Sequence, residues 1–245
     1  MGSRVETIYN FEDFHQVIDG ISGNFEWIFR GQANVEWNLI SRAGRSGHVR
    51  NNERSLFQAW KRRAAEFVSN SSLNEWDWLA IAQHHGFPTR LLDWTTNPLV
   101  AAFFALRDRV GDDSVAVYAL RTSRVFDPDT TANPLYIKGL GRFRPSAFSP
   151  RISRQNSVFT IHSPVAEPLE DQLRDDDELV KIVIDEMFAD EFIEALDRYG
   201  VNDSTIFPDL DGLSRYLSWI AEVADSRGEA VEWMLSVLGG SNKSR

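Results

Sequence analysis

The chain has 245 residues, 42% of them hydrophobic, with eight Trp and sixteen Phe, which is enough for one large aromatic core. Cysteine is absent, which excludes a disulfide framework and thiolate metal sites, and no apolar run approaches the roughly 20 residues that span a bilayer. The formal net charge of −10 argues against a non-specific clamp on a phosphate backbone.

The charge is unevenly placed. Residues 1–155 carry 19 Lys or Arg against 16 Asp or Glu, and residues 156–245 carry 7 against 20. A local anion site in the first part is therefore compatible with overall acidity. Only four of the 26 cations are Lys, and Arg offers a planar fork suited to carboxylate or phosphate. No charged-then-apolar signal segment opens the chain, so a cytoplasmic protein that makes no use of a membrane is expected.

In chain order, Asn10 followed by Phe11, Phe14, Val17 and Ile18 predicts a capped amphipathic helix. The strand FEWIFR follows, with Phe25, Trp27 and Phe29 on one face and Ile28 and Arg30 on the other. Residues 33–51 read as loop. A helix over 53–68 has Leu56, Phe57, Trp60, Ala64, Phe67 and Val68 on one stripe, and a second runs over about 75–85 with Gly86 as its stop. FPTRLLDWTTN reads as a loop or short strand, and Asn97 then caps a helix that begins at Pro98. SVAVYAL is a strand. Residues 124–150 read as loop, with one short strand near Tyr136.

SVFTIH (157–162) and LVKIVID (179–185) are strands, and DEFIEALDRYG is a helix ended by Gly200. IFPDLDG turns the chain, and two short helices within 213–240 finish it. Strands and helices do not alternate regularly. The expected architecture is a single α+β domain with a mixed or mainly antiparallel sheet flanked by helices. The core covers about residues 10–220.

Phosphate-loop, serine-hydrolase and zinc-peptidase motifs are missing. His84 and His85 are adjacent, about 100° apart on a helix, and cannot ligate one metal as an i, i+4 pair could. No metal is expected on the leading reading. Three stretches place polar residues where burial is predicted. In Phe29-Arg30-Gly31-Gln32, an Arg at a strand end can hold a phosphate or ribose hydroxyl while the glycine admits the ligand, or it can pair with a buried carboxylate.

In QHHGFPTRLLDWTTNPLVAAFFA (83–105), His84, His85, Thr89, Arg90, Asp93, Thr95 and Thr96 crowd together. An Arg90–Asp93 pair would be structural, whereas Thr95 or Thr96 would either cap the helix or contact an anion at its N-terminus. In RISRQNSVFT, Arg151 and Gln155 lead into a strand. Asp209 and Asp211 in FPDLDGL suit a turn and helix cap or a catalytic carboxylate.

Together these stretches resemble the FRG domain, a bacterial and phage family named for its Phe-Arg-Gly, here Phe29-Arg30-Gly31. QHHGFPTRLLDWTTNP resembles its second block, RISRQNSVFTIH a third and IFPDLDGLSRYL a fourth. Asn156-Ser157 departs from the third block, where the family has Gln-x-Gly. The resemblance implies a toxin or antiphage role.

The order of residues also resembles the Arg–Ser–Glu layout of ADP-ribosyltransferases. That likeness implies NAD as cofactor, with Arg30 as anchor, Thr95 or Thr96 as brace, Asp209 or Asp211 as the acid, and His84 or His85 as ribose contact or base. A protein or nucleic acid would be the acceptor, or NAD would simply be hydrolysed. A binding module for a nucleotide or nucleic-acid end, using Arg30, Arg90 and Arg151, is the alternative. A nuclease holding Mg²⁺ through Asp93, Asp209 and Asp211 is a third.

Overall fold

In the computed structural model, residues 4–21, 26–68, 72–109, 111, 113–131, 133–145 and 157–227 are described. One seven-stranded sheet organises them. Its strands are β1 (Arg4–Ile8), β2 (Trp27–Gln32), β3 (Leu91–Thr95), β4 (Val115–Arg121), β5 (Gly141–Phe143), β6 (Ser157–Ile161) and β7 (Glu178–Ile184), in the spatial order β1-β7-β4-β2-β3-β6-β5. The β1–β7 pair is parallel and the others are antiparallel. The expected mixed, mainly antiparallel α+β sheet is what forms.

The helices are α1 (Phe11–Ile21), α2 (Arg42–Arg45), α3 (Gly47–Ala64), α4 (Glu75–His84), α5 (Pro98–Arg107), α6 (Ala189–Arg198), α7 (Asp203–Ile206) and α8 (Leu210–Arg227). Local chemistry explains their ends. Asn74 caps α4 through a reciprocal box with Asp77, and Asn97 Oδ1 accepts from Leu99 N–H ahead of Pro98. Gly86 follows α4 at φ 77°, and Gly200 follows α6 at φ 73°, conformations that a Cβ disfavours.

Several expectations need correction. Residues 33–51 contain α2 and the start of α3, because Ser41 and Ser46 each accept a backbone N–H and launch a helix. Strand β1 has a largely exposed pattern and carries no alternation that the sequence reveals. The short strand falls at Gly141–Phe143, whereas Pro134–Tyr136 is a 3₁₀ turn. After a single turn at α7, one 18-residue helix, α8, replaces two short ones up to Arg227. Phe25 and the C-terminal stretch from 228 lie outside the described residues. Among those residues, no helix is long and apolar enough to cross a membrane.

Three apolar clusters hold the layers together. The first joins Phe14, Phe103 and Phe192 to Phe29, Val117 and Ile182, seating α1, α5 and α6 on the β1–β7–β4–β2 side. The second joins Phe57, Trp76 and Leu79 to Leu91, Phe159 and Ile161, seating α3 and α4 on β3, β6 and β5. The third, around Ile28, Trp94, Tyr118 and Leu120, lies on the opposite sheet face under the segments of Leu39, Leu140 and Leu169. Two separate helical layers thus meet at the β2–β3 line. The ladder is thin there: β2 pairs β4 over six positions and β3 pairs β6 over five, but β2 meets β3 only at Phe29 and Thr95.

His162, just past β6, is fully buried, and neither ring nitrogen makes a hydrogen bond of good geometry. Burial pushes its pKa down to about 4, partly opposed by a contact with the Glu167 backbone and helped by the nearby Arg90 charge. Because the folded value lies below the usual 6.5, the unfolded chain takes up the proton first. The stability tied to neutral His162 is complete above about pH 6.5 and is lost as pH falls toward 4, at most about 3 kcal/mol. Urea unfolding at pH 7 and pH 4.5 is expected to show this loss, and His162→Phe to reduce it. An equal pH dependence in the two proteins would contradict this assignment.

Candidate functional site

The β2–β3 opening holds a cavity of about 570 Å³, within the range of small-molecule sites. Residues of both parities line it from each strand: Phe29 to Ala33 from β2 and its end, and Asp93, Trp94 and Thr95 from β3. The cavity therefore runs along the parted strand edges and touches both faces of the sheet. Gln83 and His84 of α4, Ala101, Phe104 and Asp108 at α5, Arg45 of α2, Trp37, Ser157 and Phe207 complete the wall.

Arg30 lines it at the gap between the two strands. Past Phe29 and Thr95 the strands separate, and the Arg30 guanidinium bridges the gap, with Nη1 donating to the Asp93 carbonyl at 2.8 Å. Its Nε is buried without a hydrogen-bond partner, and no carboxylate among the described residues lies within 4.0 Å of it. Burial lowers its pKa; Asp93 opposes that shift, and the Arg45 guanidinium adds to it. Arg45 also forms no ion pair among the described residues, and its Nε donates to the Ile40 carbonyl at 3.0 Å. Two guanidiniums thus share one cavity and repel each other.

Asp93 opens onto the cavity yet is ringed by protein, and this desolvation raises its pKa, partly offset by Arg30 and by a hydrogen bond from Gln83. A short relay fixes it. Thr89 Oγ1 donates to Gln83 Oε1, and Gln83 Nε2 donates to Asp93 Oδ2. Gln32 is 4% exposed and lines the same space; its Nε2 donates to the Asn38 carbonyl at 3.4 Å, and its Oε1 has no partner. The site therefore offers two cationic forks, one open acceptor and two carboxylates, Asp93 and the Arg107-paired Asp108.

The site residues read from sequence separate into three groups. Arg30, Gly31, Gln32, His84, Asp93 and Thr95 line the cavity. Thr95 Oγ1 also accepts from Asn97 N–H at 3.1 Å, bracing the residue that caps α5. Thr89 acts behind the wall through Gln83.

The second group is elsewhere. Arg90 does not pair with Asp93: its Nε and Nη2 donate to the two Glu53 carboxylate oxygens, and both side chains are about 90% buried (11% and 8% exposed). The scaffold has consumed that cation. His85 is exposed at the end of α4 and Thr96 does not line the cavity. Asp209 Oδ1 accepts from Gly212 N–H at 2.8 Å at the start of α8, and Asp211 is exposed in the first turn, so the capping reading holds and neither carboxylate lines the cavity. Asp93 is not gathered with them, and no group of three or more His, Cys, Asp or Glu among the described residues could hold a metal ion. Arg151 and Gln155, the third group, lie outside the described residues.

Gly31 lines the cavity and has a further reason to be glycine. A Cβ there would sit 2.1 Å from the Ala101 carbonyl oxygen and 2.5 Å from Ala105 N. The close approach is that of helix α5, and it is what brings Ala101 and Phe104 into the cavity wall. Sequence reasoning passed over Trp37, Arg45 and Asp108, which stand in no motif, and Ser157 and Phe207, which do stand in quoted stretches. Gln83 heads the second block and was legible there.

Residues 25–114 match the family model of the FRG domain. The chain carries an FRG domain. Every cavity-lining residue except Ser157 and Phe207 falls inside the matched FRG segment. The FRG arginine is the partly unsatisfied guanidinium of β2, and the FRG glycine is the seat of α5. No curated protein and no solved structure matches the chain.

Proposed function

We propose that the cavity of this FRG domain binds a nucleotide and that NAD is its substrate, in an ADP-ribosyltransferase-like reaction or in NAD hydrolysis. One observation carries the reading: Arg30 and Arg45 line one cavity, and neither has a carboxylate within ion-pair distance among the described residues. An anion between them relieves the repulsion and satisfies buried donors, and Arg matches a diphosphate bidentately. The open Gln32 Oε1 suits a ribose hydroxyl or an amide N–H.

Chemistry would follow from Asp93 rather than from Asp209 or Asp211. As the nicotinamide–ribose bond breaks, its electron pair leaves with nicotinamide and positive charge develops on the ribose. The Asp93 carboxylate beside that carbon would favour the charge. A hydroxyl of an acceptor macromolecule, or water, then closes the bond and releases a proton.

The test is nicotinamide release from NAD by the purified protein, with and without cell lysate as acceptor source. Arg30→Ala is expected to abolish release and to weaken ADP-ribose binding by about 1.5–3 kcal/mol, the range for a charged hydrogen bond. Undiminished release by Arg30→Ala would remove the role assigned to this residue. Binding without chemistry is the second reading, favoured because no glutamate lines the cavity among the described residues. It predicts a rise in thermal stability with NAD or ADP-ribose but no nicotinamide release, with about 2.7 kcal/mol gained at 100 times Kd.

A further inference from the structure

Trp37 is the one exposed tryptophan among the described residues, Trp60 and Trp219 being partly buried. Trp27, Trp76, Trp78 and Trp94 are each no more than 8% exposed, whereas Trp37 is 48% exposed and stands at the wall of the cavity that contains Arg30 and Arg45. Leaving a large aromatic surface in water is unfavourable, and a loop free to move would turn it inward. This loop is fixed. Val35 N–H donates to the Ser114 carbonyl at 3.1 Å, and Lys181 Nζ donates to the Val35 carbonyl at 2.6 Å.

Asn34 Nδ2 donates to Asp113 Oδ2 at 3.1 Å, and Tyr118 Oη donates to the Trp37 carbonyl itself at 3.3 Å. Burial holds the Tyr118 hydroxyl protonated, with its pKa pushed up to about 12, so that this donor persists over the working pH range. Gln32 Nε2 completes the support at the Asn38 carbonyl. The backbone on both sides of Trp37 is thus tied to β2, β4 and β7, and to the end of the strand that carries Arg30.

We propose that Trp37 is the stacking platform for the flat ring of the ligand, so that the cavity selects nucleoside diphosphates over bare diphosphate. This rests on the nucleotide reading above and adds the residue that recognises the ring. The anionic group lies at Arg30 and Arg45, and the ring covers the indole that water otherwise meets. Stacking on one aromatic is sequence-tolerant, because every base offers a π face, so purine and pyrimidine diphosphates all gain from it.

The probes are ADP and inorganic pyrophosphate, titrated calorimetrically into the wild-type chain and into Trp37→Ala, Trp37→Phe and Arg30→Ala. Wild type is expected to bind ADP about tenfold or more tightly than pyrophosphate, in keeping with alanine substitution at base-stacking positions. Trp37→Ala brings ADP down to the pyrophosphate level and leaves pyrophosphate unchanged, Trp37→Phe restores most of the difference, and Arg30→Ala weakens both probes. Equal ADP affinity in wild type and Trp37→Ala, or an equal loss for both probes in Trp37→Ala, would overturn the role of Trp37 while the nucleotide reading stands. Failure of wild type to bind either probe would overturn both.

Discussion

Gly31→Ala lowers the stability of this chain by about 3 kcal/mol, at the upper end of what overpacking costs. The reason is the nature of the neighbours. The added methyl meets backbone atoms of α5, with the Ala101 carbonyl oxygen at 2.1 Å and Ala105 N at 2.5 Å, and no flexible side chain can yield in their place. Helix α5 must move away from β2 as a body. It carries Ala101, Ala102, Phe103 and Ala105, all at most 2% exposed, so the shift opens the first apolar cluster along the whole contact. The same movement displaces Ala101 and Phe104 from the cavity wall, and ADP affinity falls with stability. Urea unfolding followed by far-UV circular dichroism measures the first effect. A midpoint equal to that of wild type would show that α5 yields without cost.

Glu53→Ala is expected to destabilise by about 3–5 kcal/mol, because it leaves the Arg90 guanidinium buried and unpaired. The pair is bidentate, and the side chains are 11% and 8% exposed, so water cannot take the place of the lost carboxylate. Its position gives the interaction its reach: Glu53 is on α3 and Arg90 directly precedes β3, so the bond fastens a helix of one layer to a strand bordering the cavity. The double variant Glu53→Leu/Arg90→Met is expected to recover most of the loss, since replacing both charges removes the desolvated cation as well as its partner. Neither residue lines the cavity, so ADP binding by the folded fraction stays at the wild-type level. If the double variant is as unstable as Glu53→Ala, the unpaired charge is not the source of the loss.

Arg30 and Arg90 show how far the sequence can be read. Each stands in a conspicuous motif, Arg30 within a strand and Arg90 directly before one, and each could hold a ligand or a carboxylate of the protein. Which of the two is consumed depends on Glu53, 37 residues before Arg90 and in a helix without any motif. Arg45 and Trp37 raise the same difficulty from the other side. They come from a segment whose composition reads as loop, and they reach the cavity only because Ser41 launches α2 and because β4 and β7 tie down residues 34–38. Of the two roles open to Asp209 in the sequence, the cap is the one in view, for a local reason: an Asp ahead of a helix satisfies a free backbone N–H.

The sequence by itself determined the α+β class, the aromatic character of the interior, most of the strands and helices, and the two stretches that supply the cavity's polar wall. Those follow from short-range rules of alternation, capping and proline placement, which act within a few residues. The tertiary structure alone decided that β2 and β3 touch at a single pair and then part, that α5 lies against Gly31, and that Arg30 is left open while Arg90 is closed. These outcomes depend on which distant charge or helix comes to rest beside each residue, and no local pattern encodes that.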